Sequence, residues 1–394
     1  MNKLLSFIKK MLIAIGVLLV IGIIAVAFLI WYTFFDCTGL DLYKDQTISE
    51  IILTDYNIYL ITEDNSLYMA GGYLGRSRKY LNSEFHKNRK YGTPSPVKVF
   101  DQEIKDFIVC PQNKIMIITQ SNELYSLKDT KSEIMSERIA GNICCVDSHN
   151  VDEKYYVYLV DIYGILKRMD EKGESVILAS DIVEVHTYRE RVFVLNSDGD
   201  LVELIIADDM SIKTSEPLFS NVKSFDVKDT SLRFDGEKYI YDDQTAQDIP
   251  LFNVLTNDDK LYAKGAYSLL YSMIVLGFEP SPYVIEEWKM LDEHVVDFSL
   301  SHNGTLMLLD DSRCSYYGYD PINNERSYRK YNCTYYIIPI QNVTKISSST
   351  SGVCVKGQDN NFYFWGANFF FNFYSDERNT KFSLFENKPF VLTP

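Results

Sequence analysis

Cysteine is scarce, with seven in 394 residues. A disulfide scaffold packs its cysteines far more densely, so that class is excluded. Histidine is scarcer still. His86, His149, His186, His294 and His302 are scattered and have no zinc-type spacing, so each is expected at a surface or a turn. Positive charge is in deficit: 39 Lys and Arg against 54 Asp and Glu leave a net charge of −15. That balance speaks against general nucleic-acid binding and against a polybasic membrane-surface binder, both of which depend on neutralising phosphates. No P-loop, HExxH, GxSxG or CxxC phrase occurs, so no motif-borne catalytic, cofactor or metal site is expected.

What is present is a globular composition, 46% hydrophobic and 24% charged, with 29 Tyr and 23 Phe. Such aromatic enrichment favours strands. The one long apolar run is 11–35, which carries no charged side chain. At about 1.5 Å per residue it would span roughly 37 Å as a helix, enough to cross a bilayer. Lys3, Lys9 and Lys10 precede it; Asp36, Asp41 and Asp45 follow it, and Trp31 and Tyr32 sit where an outer aromatic belt would lie. The positive-inside rule predicts a cytoplasmic N-terminus and an extracytoplasmic bulk. A cleaved signal peptide ending at Ala25-Val26-Ala27 is the rival reading, but it would leave Phe28 to Tyr32 as a greasy terminus. The expected organisation is a cytoplasmic tail (1–10), a transmembrane helix (11–35), a linker (36–46) and one folded domain (47–394).

From Thr47 onward, short apolar runs alternate with Asn, Asp and Gly turn signals. A pattern recurs: an apolar strand, a polar turn, then Leu-Tyr or an equivalent. The residues opening the post-turn strand are Leu67, Leu124, Leu166, Leu201, Leu261, Cys314 and Phe362, at intervals of 35 to 60 residues. Asp64-Asn65, Ser121-Asn122, Ser197-Asp198-Gly199, Asn257-Asp258 and Asp359-Asn360 precede five of them as hairpin turns. Seven units averaging about 50 residues suit four-stranded propeller blades, so the fold class predicted is all-β, a seven-bladed β-propeller preceded by one N-terminal transmembrane helix. Pro389-Phe390-Val391-Leu392 resembles Pro94-Ser95-Pro96-Val97 and Pro280-Ser281-Pro282-Tyr283. It is expected to complete the first blade and hide a sheet edge.

The phrases LYMAGGYLG (67–75), LYAKGAYS (261–268) and FYFWGANFF (362–370) resemble the LYAWGxNxxGQLG phrase of the regulator-of-chromosome-condensation repeat. The resemblance implies a propeller. The family's paired glycines and His-Ser-x-Ala phrase are absent; Thr350-Ser351-Gly352-Val353 stands in the last unit, and the chain has only 19 Gly. Middle units such as NELYSLKD look as much like pyrroloquinoline-quinone-type propeller repeats. The founding family's nuclear exchange-factor role is not carried over, because the anchor and the missing residues speak against it.

Two local features stand out, and the cysteines and sequons add to them. Arg76, Arg78, Lys79, Lys87, Arg89 and Lys90 form a basic stretch opposed only by Glu84. It is either a solvated loop or a contact for anionic lipid or cell-surface polymer. The apolar stretch within Tyr267 to His294 is either an extra strand or a protruding partner-binding element. Cys314 and Cys333 either pair across adjacent strands or remain reduced thiols. Cys144-Cys145 is read as a buried pair of small hydrophobes. Asn303, Asn332 and Asn342 head formal glycosylation sequons.

The function these features favour is a membrane-anchored extracytoplasmic propeller that binds a protein or surface ligand, without catalysis or cofactor. The alternatives are a carboxylate-based hydrolase or lyase at the propeller funnel, which requires clustered acids with raised pKa, and an envelope-complex scaffold.

Overall fold

The computed structural model describes residues 47–54, 57–71, 97–100, 102–110, 115–129, 134–151, 154–207, 212–228, 232–234, 239–241, 247–267, 283–319, 333–349, 352–367, 381–382 and 390–392. Every regular element among them is a strand. The predicted helix over 11–35 and the basic stretch 76–90 lie outside the described residues. Among the described residues, no helix is long and apolar enough to cross a membrane.

Seven sheets repeat one antiparallel plan. Blade 1 is β1 (Ile48–Leu53), β2 (Asn57–Thr62), β3 (Leu67–Gly71) and β4 (Val97–Phe100). Blade 2 is β5 (Ile104–Val109), β6 (Ile115–Thr119), β7 (Leu124–Asp129) and β8 (Ile134–Ala140). Blade 3 is β9 (Ile143–Val151), β10 (Lys154–Asp161), β11 (Leu166–Met169) and β12 (Ser175–Ala179). Blade 4 is β13 (Ile182–Tyr188), β14 (Arg191–Asn196), β15 (Leu201–Ile206) and β16 (Ile212–Thr214). Blade 5 opens with β17 (Val222–Lys228). A small sheet of β18 (Leu232–Phe234), β19 (Tyr239–Tyr241) and β20 (Gln247–Asp248) is inserted before β21 (Leu251–Thr256), β22 (Leu261–Tyr267) and β23 (Tyr283–Asp292) complete the blade. Blade 6 is β24 (Val295–Leu300), β25 (Gly304–Leu309), β26 (Cys314–Gly318) and β27 (Thr334–Ile338). Blade 7 is β28 (Val343–Ser349), β29 (Gly352–Gly357), β30 (Phe362–Ala367), β31 (Lys381–Phe382) and β32 (Phe390–Leu392).

All seven openers read from the repeat begin the third strand of their blades, and all are fully buried. The third unit, irregular in sequence, is a complete blade. First strands of neighbouring blades touch, β9 with β13, β13 with β17, β24 with β28 and β28 with β1, so they line the centre of the ring.

The core is seven separate clusters, one between each pair of adjacent blades. The cluster joining blade 7 to blade 1 packs Ile48, Ile51 and Leu53 against Cys354, Phe362 and Phe364, and so closes the ring. Each apolar side chain in these clusters is worth roughly 1.5–3 kcal/mol on burial. A blade alone would expose both its faces, which is why the repeat is stable only as a ring.

One expectation is corrected here. The last strand does not complete blade 1: β32 pairs with β30 of its own blade, Phe362 opposite Leu392, and blade 1 already has β4 opposite β3. The likeness among the three proline-led segments was sound, but each supplies an outer strand to its own blade. Among the described residues after Tyr267, β23 is blade 5's ordinary fourth strand; 268–282, which hold the apolar stretch, lie outside the described residues. As for the cysteines, Cys314 sits opposite Ile338, whereas Cys333 precedes Thr334, the partner of Gly318 at the other end of the pair. Strand rise of about 3.4 Å per residue separates the two sulfurs far beyond bonding reach, and both thiols are free.

Candidate functional site in the central channel

The seven first strands share a register. Each begins with a buried aliphatic residue, Ile48, Ile104, Ile143, Ile182, Val222, Val295 or Val343. In all seven a register shift follows immediately. Counting two residues on from each aliphatic gives Glu50, Asp106, Cys145, Glu184, Ser224, Asp297 and Lys345. Counting four on gives Ile52, Ile108, Asp147, His186, Asp226, Ser299 and Ser347. Acidic residues therefore gather where blades 2 to 5 meet the channel, around a single imidazole.

His186 is that imidazole. Its Nε2 lies 3.0 Å from Glu184 Oε1 and its Nδ1 3.7 Å from Asp226 Oδ1, while Phe225 packs edge-on at 4.8 Å. These side chains remain accessible, Asp106 and Asp297 exposed and His186 26% so, yet the protein around them is dense enough for desolvation to act on them. Burial alone would lower the His186 pKa. The hydrogen bond and charge of Glu184, with Asp226 and Asp147, overcome it and raise the value to about 9. Asp106 and Asp147 are raised above the ordinary carboxylate range by burial, against the opposing pull of His186 and of backbone amides. Asp297 is raised in the same way, opposed by the Phe298 amide and Lys345.

Four of the acids share a local device. The amide of the following residue donates to Oδ1 in Asp106, Asp147 and Asp226 at 2.7 Å, and in Asp297 at 2.9 Å. The second Asp147 oxygen bridges to blade 4, accepting from the Thr187 amide at 2.6 Å and its hydroxyl at 3.1 Å. Serines do the same work elsewhere. Ser299 Oγ accepts the Ser348 amide at 2.9 Å, and Ser347 Oγ accepts the Leu53 amide at 2.8 Å. In blades 3, 6 and 7 this position thus latches onto the next inner strand, and Asp147 is its acidic version.

Chemically, an imidazole held near pKa 9 is a cation at neutral pH. It serves as counter-ion to the acids and is unsuited to act as a general base, which must be unprotonated at the working pH. Among the described residues, no group of three or more His, Cys, Asp or Glu is arranged to hold a metal ion.

The sequence placed His149 and His186 at surfaces or turns. His149 is instead buried on β9, its Nε2 3.5 Å from the Tyr158 hydroxyl, and His186 faces the channel. Among the described histidines, His294, with φ +61, and His302, in the hairpin loop between β24 and β25, keep the expected turns. Cys144 and Cys145 are partly buried against the cluster between blades 3 and 4. Asn303 is 1% exposed, which removes its sequon as a glycan acceptor. The acidic cluster was missed although its signal was present: aligning the units on the first aliphatic residue, and not on the turn, brings the acids into register.

The two ends of the ring differ. At one end lie the second-to-third turns and the crossings between blades. Every such turn has a left-handed residue: Asn65, Asn122, Gly164, Gly199, Asp259, Ser312 and Asn360. Turn carbonyls accept the first amide of the next blade, as in Ile143 to Asn122, Ile182 to Gly164, Val222 to Gly199, Val295 to Asp259 and Val343 to Ser312. This end is stitched. The opposite end carries the third-to-fourth connections 72–96, 268–282, 320–332 and 368–380 of blades 1, 5, 6 and 7, which are contiguous around the ring. The β18–β20 sheet also leaves from that end. Thr47 enters at the stitched end, beside Thr62, Leu67 and Phe100, whereas Gly71 and Val97, which flank the basic stretch, lie at the other.

No family model matches the chain, and no curated protein matches it. Solved structures do align. Yeast RCC1 (Prp20), crystallised with Kap60, aligns at 12% identity over 86% of this chain and 74% of that one, with a TM-score of 0.42. Human WBSCR16 aligns at 13% identity over 89% and 82%, with a TM-score of 0.42. PorZ, a surface component of the type-IX secretion system of Porphyromonas gingivalis, aligns at 12% identity over 86% and 38%, with a TM-score of 0.43. The seven-bladed architecture itself stands on the strand pairing and the seven inter-blade clusters described above.

Proposed function

We propose that the chain is a single-pass membrane protein whose extracytoplasmic propeller binds a protein or a surface ligand, without catalysis of its own, through the end of the ring opposite its tether. The observation that carries this is the inequality of the two ends. Binding loops belong on a rigid scaffold, and here the long connections all depart from one end of a ring whose other end is stitched. The linker 36–46 joins the stitched end at Thr47, so the anchor at 11–35 leaves the elaborated end free to face outward. Eleven extended residues reach at most about 40 Å. Under this topology the basic stretch 76–90 departs from the end away from the anchor, which favours a polymer or protein contact over the anchoring bilayer.

The test is cross-linking on intact cells with a membrane-impermeant reagent, followed by mass spectrometry. Labelling of the propeller and capture of envelope proteins are expected. Replacing 72–96 by the short blade 2 connection 130–133 is expected to weaken capture. Labelling only after permeabilisation would overturn the topology, and undiminished capture by the shortened chain would overturn the assignment of the face.

One observation favours a carboxylate-based hydrolase or lyase, the raised Asp106 and Asp147. Against it, Asp147 is committed to the Thr187 latch and His186 is a cation at neutral pH.

A further inference from the structure

Blade 5 contains a construction found in no other described blade. In blades 1, 2, 3 and 5 the pairing of third and fourth strands slips once, at the first residue of the third strand. Blade 5 slips again between Ala263 and Gly265. Ala263 pairs with Lys289 and Gly265 with Ile285, so Glu286, Glu287 and Trp288 bulge out opposite Lys264 alone. Bulges of this kind re-aim side chains.

Gly265 permits it. Its φ is +110, and a Cβ there would fall inside the contact distance of the Pro250 carbonyl. The backbone before β21 therefore closes in against β22, and a cavity of about 310 Å³ opens at the junction of blades 4 and 5. Its walls include Leu218, Phe252, Trp288, Lys264, Glu286 and Arg191. The Trp288 ring is pinned: Nε1 donates to the Leu218 carbonyl at 3.1 Å, and Phe219 packs edge-on at 4.8 Å. Lys264 Nζ stands 5.9 Å from the Trp288 ring centre and has no ion-pair partner among the described residues. Arg191 is already forked onto Glu203, with both contacts at 2.7 Å.

These features define a ligand. The volume is at the lower end for small-molecule sites, enough for one or two rings. The wall is mainly apolar and aromatic, with a lysine donor and a carboxylate acceptor at hand. A purely apolar ligand would leave Lys264 and Glu286 unused. A strong anion would want both cations, and Glu203 has taken one. A neutral polyhydroxylated ring satisfies every wall: its C–H face lies on the aromatic surface, and its hydroxyls accept from Lys264 and donate to Glu286. We propose that this cavity binds a pyranose unit of a surface glycan. The inference rests on the binding-module reading above and names a ligand class for one site on the same ring.

The test uses the purified full-length chain in detergent, titrated with methyl glucoside, methyl galactoside and N-acetylglucosamine, with glucuronate and inorganic phosphate as separate probes. Trp288 is one of three tryptophans, and Trp365 is 1% exposed, so indole fluorescence reports the cavity. At least one neutral pyranoside is expected to give a saturable change with Kd on the order of 1–10 mM, as suits a single ring. The signal should vanish in Trp288→Phe, and Lys264→Met should weaken binding about tenfold while leaving the denaturation midpoint unchanged, a loss of about 1.4 kcal/mol. No saturable change with any neutral sugar, a response to glucuronate or phosphate alone, or full binding by Lys264→Met would each overturn the proposal. Sugar binding that fails while cell-surface capture persists removes only this site. Capture that fails while sugar binding persists removes the partner-binding reading.

Discussion

The Ser347 hydroxyl accepts the amide proton of Leu53 across 2.8 Å and 294 residues of sequence. It joins the last blade to the first, beside Lys356 Nζ on the Ser49 carbonyl at 3.0 Å and Lys345 on Glu50 at 3.4 Å. Among the described residues no strand is exchanged at this seam; side chains and the apolar cluster beneath them join the two blades.

Removing that hydroxyl should cost more than a surface hydrogen bond. Ser347→Ala leaves the buried Leu53 amide without its partner, a loss of about 1–3 kcal/mol. Urea denaturation followed by tyrosine fluorescence should show a lower midpoint. Ser299→Ala, which removes the equivalent latch between blades 6 and 7, should give a loss of similar size. A midpoint unchanged in both would mean the latches are decorative.

His186 gives the ring an alkaline sensitivity. Its folded pKa is raised to about 9, above its ordinary value of 6.5. The stabilisation is therefore complete below pH 6.5 and is lost as pH rises through 9. The groups facing it are Glu184, Asp226, Asp147 and Asp106, with Asp226 also touched by Lys228. Asp106 and Asp147, raised by burial, push in the same direction at lower pH, since folding disfavours their ionised forms. His186→Gln should flatten the decline in stability between pH 6.5 and 9, measured as the denaturation midpoint against pH.

His149 works with the opposite sign. Burial, then the charge of Arg168, lower its folded pKa to about 4. The folded state excludes the proton that the unfolded chain accepts, so stability falls as pH drops from 6.5 towards 4. The facing groups are Tyr158, Tyr156 and Arg168, whose guanidinium stacks 4.6 Å over the Tyr156 ring. His149→Phe should remove an acid loss of up to about 3 kcal/mol. An unaltered acid limb in the variant would show that His149 is protonated without penalty.

Gly265→Ala should be among the costlier single substitutions in the chain. It forces a side chain into a left-handed backbone conformation and against the Pro250 carbonyl, at roughly 2–4 kcal/mol. The denaturation midpoint is the direct measure. Gly173→Ala is the control: its φ is +83, but nothing lies within 4 Å of a Cβ there, so only the backbone cost of about 1 kcal/mol remains.

The blade count was legible because hairpin turns need a left-handed residue, and Asn65, Asn122, Gly199 and Asn360 announce one in sequence. The third-strand openers were legible because their burial demands an apolar or small side chain in every unit. Ring closure was not, since a proline-led strand that can finish its own blade looks the same as one that finishes a neighbour. The channel cluster was hidden for a related reason. Asp106, Asp147, Glu184 and Asp226 are far apart in the chain, and nothing local distinguishes them from the other 50 acids that make the protein acidic. The cavity beside Trp288 depends on a double slip in pairing, which no periodicity of side chains reveals.

The stitched end has a consequence for how this chain can change. At five of the seven turns there a carbonyl accepts the next blade's first amide, so an added residue would disturb two blades at once. At the opposite end the third-to-fourth connections already range in length from the four residues of 130–133 to the stretch 72–96. Insertions, fused tags and lineage-specific embellishments are therefore admitted on one side of the ring only, and that side can acquire new specificity while the geometry of the blades stays fixed.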